Sequence, residues 1–253
     1  MEQQSNQLTD KAFWTSYWES KPDLVLSVDR EFLFYKQLKQ VIDQNHPKTA
    51  IELGGFPGHY AIFLKKYFGI QTTLFDYFIH RGILQKVLEK NNLGQTDIHV
   101  IEADVFQYTP QEQYDLVLSC GLIEHFQDTR DILQRHIRFL KPGGTLWITL
   151  PNFKGVNGWI QKVFDPANYQ KHNIHCMDLE LLTSISYELG LVAVQVKYIQ
   201  RFSVWLENKQ EKPFLTKIFV KTIWYVGKVL TKLVPFESKL LSPYILLQAR
   251  KRD

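Results

Sequence analysis

The run Ala50-Ile51-Glu52-Leu53-Gly54-Gly55-Phe56-Pro57-Gly58-His59-Tyr60 joins a β-prone stretch, a carboxylate, a glycine-rich turn and the start of a helical pattern. Glycine allows positive φ and lets a ligand come close to the backbone. A helix start directly after such a turn presents free N–H groups. Two more acids stand at the ends of β-like runs: Asp76 after Thr72–Phe75, and Asp104 after Ile98–Ile101. An acid at the first of these places can accept from both hydroxyls of a ribose. Asp104, within Glu102-Ala103-Asp104-Val105, could accept from an adenine amino group. Together with Glu52 these acids fall at the carboxyl ends of neighbouring strands, the crevice in which open α/β sheets bind ligands.

The nature of the ligand follows from charge and spacing. A dinucleotide fingerprint requires Gly-x-Gly-x-x-Gly, and this turn reads Gly-Gly-x-x-Gly. A carboxylate inside the turn would repel a pyrophosphate and attract the ammonium or sulfonium of S-adenosylmethionine. Three histidines could then serve the chemistry. His125 reads as a general base, a cofactor contact or a packed side chain. His172 and His175, close to Tyr169, face the acceptor or lie on the surface. His172, His175 and Cys176 have no standard finger spacing, so no metal site is expected.

These residues need a scaffold, and the chain alternates short β-rich runs with helical stretches, as βαβ units do. Strands are expected at Thr49–Leu53, Thr72–Phe75, Ile98–Ile101, Asp115–Ser119, Thr145–Leu150, Leu191–Ile199 and Pro243–Ala249. Helices are expected at Tyr60–Tyr67, Arg81–Lys90, Thr129–Leu140 and Asp178–Leu189, with Lys141-Pro142-Gly143-Gly144 as a turn. Residues 1–46 read as a helical segment ahead of a domain at 47–253, with Trp14 and Trp18 on one face and Phe34, Leu38, Val41 and Ile42 on another. Two stretches interrupt the alternation, at 152–177 and 203–242, and such insertions usually carry function. Within the second, Lys217, Lys221, Lys228 and Lys232 gather on one side of a helix whose other residues are largely apolar. That helix, over 214–233, suits a lid, a homodimer contact or an anionic membrane surface.

The chain resembles the class I S-adenosylmethionine-dependent methyltransferases. The residues that carry the resemblance are ELGGFPG at 52–58, FD at 75–76, EAD at 102–104, YDLVLSCGLIEHF at 114–126 and LKPGGTLWITLPN at 140–152, spread over roughly 48–200. It implies a doubly wound, mainly parallel seven-stranded α/β sheet with its last strand antiparallel, here with helical insertions. It also implies a cofactor loop of Glu52, Gly54, Gly55 and Gly58, with Asp76 on the ribose and Asp104 and Val105 at the adenine. Ser119, Cys120, Glu124 and His125 would lie along the methionine part. The chain departs from the family at Phe56, which replaces the middle glycine of the loop.

Composition narrows the acceptor. A net charge of +4 over 253 residues is too mild for a nucleic-acid binder. Nucleic-acid amino-methyltransferases carry an Asn-Pro-Pro-Tyr type motif where this chain has Ser119-Cys120-Gly121-Leu122. Aromatics at 14% are high and suit an apolar pocket. Two cysteines and a polar start with no apolar leader fit a cytoplasmic protein, at most peripheral to a membrane, and no transmembrane helix is expected. The expected function is methyl transfer to a small-molecule acceptor, as O-methylation of an apolar, phenolic or lipid-linked substrate, with a sugar as the alternative acceptor. A degenerate fold that binds without catalysis is the second reading. A nicotinamide-dependent oxidoreductase is third, disfavoured by the absent fingerprint.

Overall fold

The computed structural model describes residues 6–21, 23–207, 209–233 and 237–253. Parts of the expected N-terminal segment (1–5 and 22) and of the second insertion (208 and 234–236) lie outside the described residues.

Seven strands form one sheet: β1 Thr49–Leu53, β2 Gln71–Asp76, β3 Ile98–Glu102, β4 Tyr114–Cys120, β5 Leu140–Pro151, β6 Leu191–Ile199 and β7 Tyr244–Lys251. Their order across the sheet is β3-β2-β1-β4-β5-β7-β6. β1 to β5 run parallel, and β7 inserts antiparallel between β5 and β6. This is the doubly wound arrangement that the sequence implies. The chain reverses its direction of winding between β1 and β4, so the carboxyl ends of these strands flank the crevice.

The helices are α1 Lys11–Glu19, α2 Tyr35–Asn45, α3 His59–Phe68, α4 Arg81–Lys90, α5 Thr129–Arg138, α6 Val156–Phe164, α7 Pro166–Tyr169, α8 Leu179–Glu188 and α9 Phe214–Leu233. Both faces of the sheet are covered. On one, Ala50, Leu74, Leu118 and Trp147 pack with α3, with α4 and with Val28, Phe34, Leu38 and Val41 of the N-terminal segment. On the other, Ile51, Leu53, Phe75 and Val117 pack with Ile132 and Leu133 of α5 and Leu182 of α8. Alternate residues of β1 thus feed opposite cores, which is why Ala50, Ile51 and Leu53 are all apolar. A third, smaller cluster joins Ile160 of α6, Phe202, Val204, Leu206 and Val220 of α9.

One connection differs from the sequence reading. Lys141-Pro142-Gly143-Gly144 does not stand outside the sheet as a separate turn. Leu140 already pairs with Tyr114, the register shifts before Leu116, and the glycines lie inside a twelve-residue β5. Gly143 carries the positive φ (70°) at this irregularity. The four residues thus form an irregularity within β5, between the Leu140–Tyr114 and Thr145–Leu116 pairs.

Candidate functional site

The loop after β1 is shaped by what approaches it. Gly54 has φ 62°, and a Cβ there would stand 2.5 Å from Leu122. Gly58, at φ 93°, is the N-cap of α3. Glu52 is buried, and its Oε2 accepts from the N–H of Ala61 at 2.7 Å, so this strand-end acid caps α3. Burial pushes its carboxyl up to about 8 against the pull of the α3 amides. Gly55 makes room for it, since a Cβ would lie 2.3 Å from Glu52 Cγ. Asp76 holds the same loop from β2: Oδ2 accepts from the Phe56 N–H at 2.9 Å and Oδ1 from the Phe78 N–H at 3.1 Å. Burial raises its carboxyl to about 6. Phe56 is buried, with its ring 5.3 Å from Trp18 and 6.4 Å from Phe78. The large residue in the glycine position therefore closes one wall while the turn keeps its positive-φ glycines.

Glu52, Asp76, Asp104 and Val105 line one continuous cavity of about 460 Å³ with Gly54, Gly55, Cys120, Glu124, His125 and His172. Asp104 also organises its own turn, accepting from the Phe106 N–H at 2.9 Å. At the far end Glu124 is buried, its Oε2 has no hydrogen-bond partner and burial pushes its carboxyl up to about 8. His125 and His172 face one another with ring centroids 4.8 Å apart. Nδ1 of His125 lies 3.0 Å from the Lys171 carbonyl, and Nδ1 of His172 lies 2.8 Å from the Asn168 carbonyl. A carbonyl only accepts, so each Nδ1 carries its proton and each Nε2 keeps a lone pair. Burial, reinforced by His172, lowers His125 to about 3, and burial also lowers His172. Both rings are neutral at pH 7. Glu124, His125 and His172 each offer one ligand atom within 4.8 Å of the others, so these three are the described residues that could hold a cation.

His172 reaches this cluster because the first insertion is tied to the β4 end. Asn173 donates from its N–H to the Glu124 carbonyl at 2.6 Å and from Nδ2 to the Phe126 and Gln127 carbonyls. The N-terminal segment closes the opposite side. Trp14, Tyr17 and Trp18 of α1 all line the cavity, with Trp14 edge-on to His125 at 5.0 Å. Leu8 donates to the His125 carbonyl at 2.8 Å, and Lys21 pairs with Glu207 of the second insertion at 2.6 Å. Trp205 and Tyr244, stacked 5.4 Å apart, complete the aromatic wall. Sequence reasoning put Trp14 and Trp18 on one face but did not assign the N-terminal segment, Trp205 or Tyr244 to the site. The surplus of aromatics was the signal available.

Three expected site residues lie elsewhere. His175 is exposed and does not line the cavity; it follows Asn173, whose side chain turns the chain there. Gly58 shapes the loop from outside the cavity lining. Ser119 points to the opposite side of β4 from Cys120, is fully buried and lies 2.9 Å from His136 Nε2. Because His136 Nδ1 faces the Ile132 carbonyl at 2.7 Å, Nε2 is the acceptor and Ser119 the donor. Ser119→Ala should strand that nitrogen and cost about 1–3 kcal/mol in urea unfolding. Cofactor affinity should not change, and an affinity loss larger than the stability loss would return Ser119 to the site.

A family model described as a methyltransferase domain matches residues 29–196. No curated protein matches. Among solved structures, the chain is similar to phosphoethanolamine N-methyltransferase 2 of Haemonchus contortus, solved with phosphomonomethylethanolamine and S-adenosylhomocysteine. The TM-score is 0.58 and the identity 17%, over 87% of this chain and 53% of that one. This chain therefore spans about half the length of that protein. A candidate sarcosine dimethylglycine methyltransferase from Galdieria sulphuraria gives a TM-score of 0.59 at 19% identity, over 96% of this chain and 98% of that one. A SAM-dependent methyltransferase from Archaeoglobus fulgidus gives 0.56 at 17%, over 96% and 100%. At these identities the structural likenesses show the fold.

Proposed function

Because the chain belongs to the methyltransferase-domain family of class I S-adenosylmethionine-dependent enzymes, we propose that it moves a methyl group from S-adenosylmethionine to the hydroxyl of a small apolar acceptor, phenolic or lipid-linked. The observation that carries this reading is the single cavity in which three strand-end acids meet an aromatic chamber containing two neutral histidines and a carboxyl with one unpartnered oxygen. Glu52, Asp76 and Asp104 with Val105 fit the adenosyl and amino acid parts; Trp14, Tyr17, Trp18, Trp205 and Tyr244 fit the acceptor.

The sulfonium supplies an electrophilic methyl, and the protein's part is to align the acceptor and exclude water. The acceptor oxygen forms the new bond to carbon, the carbon–sulfur bond breaks with its electron pair going to sulfur, and the hydroxyl proton passes to Nε2 of His125. The cavity's charge is conserved, because one cation disappears at sulfur as another forms on imidazole. Glu124, held up to about 8 by burial in the free protein, is favoured to ionise when a cation stands beside it, and its carboxylate then balances either one. His172 supports His125 or takes the proton itself.

A second reading has a specific observation behind it. An amine acceptor would also suit an aromatic chamber with a free carboxyl, and the Haemonchus and Galdieria proteins carry names of amine-directed enzymes. Calorimetry with S-adenosylmethionine, S-adenosylhomocysteine and NAD, followed by labelled-methyl transfer to phenol, lipid-phenol and amine panels, tests both. Binding of the adenosyl ligands with transfer to a hydroxyl is the expected result. Transfer only to amines moves the reading to N-methylation, and binding without any transfer leaves a cofactor-binding module.

A lipid-linked acceptor would be met at a bilayer surface, and α9 carries a face of that character.

A further inference from the structure

Helix α9 rests on the body of the protein along one narrow stripe. Val220, Gly227 and Thr231 are buried and Ile223 and Trp224 partly so, a three-to-four-residue recurrence that defines a single face. A Cβ on Gly227 would stand 2.0 Å from the Phe202 ring, so glycine here lets the helix settle onto that ring.

The face turned outward is apolar nonetheless. Leu215 is 78% exposed, Ile218 47%, Phe219 45%, Val226 52%, Val229 59% and Leu230 55%. At the α-helical turn these six span a sector roughly 120° wide, which also holds Thr222. The patch continues onto α6 through Trp159 and Val163, both about half exposed, and Phe219 touches Trp159 at 6.4 Å between ring centroids. Along one border of the sector runs a row formed by Lys217, Lys221, Lys228 and Lys232. No Asp or Glu occurs in α9, and none of these lysines pairs with a carboxylate among the described residues. Lys221 and Lys228 lie instead over the rings of Tyr225 and Trp224. No helix among the described residues is long and apolar enough to cross a membrane.

From this we infer that α9, extended by Trp159 and Val163 of α6, docks the protein on an anionic lipid bilayer, lying in the interface with its apolar sector down and its lysines on the headgroups. A bilayer satisfies both halves of the face at once: acyl chains take the apolar sector and lipid phosphates take the lysine row. A second copy of the chain would cover the apolar sector but bring only more lysines to the row, and like charges oppose that pairing. The placement also has a use. Phe202, Val204 and Leu206 support α9, while Trp205 between them lines the cavity, so the docking helix is one side-chain layer from the acceptor chamber. The inference extends the lipid-linked reading of the acceptor, but vesicle binding can be measured without any acceptor.

The test is sedimentation of the full chain with vesicles of phosphatidylcholine plus phosphatidylglycerol, against phosphatidylcholine alone, at low and high salt. Light scattering reports the oligomeric state, and calorimetry with S-adenosylhomocysteine reports the integrity of the cleft. Binding to the anionic vesicles should fall with salt. Each lysine should be worth about fivefold, so changing all four to Gln should lose a hundredfold or more. Ile218→Glu with Val229→Glu, at exposed positions, should abolish binding and leave cofactor affinity unchanged. The inference is overturned if wild-type protein ignores anionic vesicles at low salt, or if both variants still bind. It is equally overturned if Ile218→Glu with Val229→Glu merely converts a non-binding dimer to a monomer. Vesicle binding by a protein that fails to bind S-adenosylhomocysteine would sink the cofactor reading and leave this one standing.

Discussion

Asp76→Ala should weaken S-adenosylhomocysteine binding by more than about a hundredfold while the chain stays folded. Two hydrogen bonds from ribose hydroxyls to a carboxylate would be lost, each worth about 1.5–3 kcal/mol when one partner is charged. The same substitution also frees the Phe56 N–H, which Asp76 Oδ2 holds at 2.9 Å, so loop disorder could lower affinity without any ribose contact. An analogue of the ligand lacking both ribose hydroxyls separates the two causes. It should bind wild type poorly and lose little more in Asp76→Ala. An undiminished loss with that analogue would mean that Asp76 serves the loop alone. The pH dependence gives an independent readout. In the free protein burial holds Asp76 up, at about 6. A ligand that donates to its carboxylate favours the ionised form, so affinity should fall as pH drops through about 6 and level off above it. Glu52, raised to about 8, adds a rise in affinity toward pH 8 if it attracts the ligand's ammonium. Asp76→Ala should remove the lower limb and leave the upper one.

What was legible in the sequence was local in cause. A strand end, an acid and positive-φ glycines follow from residues 49–60 themselves, so the loop is where the pattern puts it. The same holds for β2, which Asp76 ends, and for β3, two residues before Asp104, since each acid stands at the end of a β-prone run. The doubly wound sheet with its antiparallel last strand came from the resemblance, not from the pattern, because pairing partners are not a local property. Ser119 shows how parity fails. β4 is buried on both sides and apolar throughout Leu116–Leu118, so no polar alternation says which of Ser119 and Cys120 turns toward the ligand. Lys141–Gly144 reads as a turn on composition, and only the pairs on either side of it, Leu140 with Tyr114 and Thr145 with Leu116, place it inside β5. The aromatic side of the cavity was least legible. Trp14, His172 and Trp205 come from three segments far apart in the chain, and bonds such as Leu8 N–H to the His125 carbonyl and Asn173 N–H to the Glu124 carbonyl bring them together. His172 and His175 look equivalent in sequence, yet only His172 faces His125.

His125→Ala should lower kcat on a hydroxyl acceptor by about 10²–10⁴, the usual worth of a positioned proton acceptor, with cofactor affinity within a few-fold of wild type. The low basicity of His125 in the free protein, about 3, does not argue against this role. Its first cause is burial, which penalises any added charge, but methyl transfer removes the sulfonium cation as the imidazolium forms. The site therefore never holds an extra charge, and the penalty written into the free protein largely cancels. Glu124 sharpens the expectation, because its carboxyl is the adjacent group able to offset an imidazolium, and Glu124→Gln should lower kcat in the same direction with smaller effect. His125→Asn keeps a donor for the Lys171 carbonyl while lacking the Nε2 lone pair, so it should match His125→Ala in kcat while holding the loop better. If His125→Asn restores turnover, the ring's work is to fix Lys171 and the first insertion. If kcat and cofactor affinity fall together in both variants, His125 is a contact to the cofactor. If His125→Ala is mild and His172→Ala severe, the proton goes to the second histidine, whose Nδ1 is anchored on the Asn168 carbonyl in the same manner. An acceptor that arrives already ionised at pH 7 would make both variants mild. A substrate series of rising phenol pKa therefore decides the matter, since dependence on His125 must grow with the pKa of the proton it is asked to take.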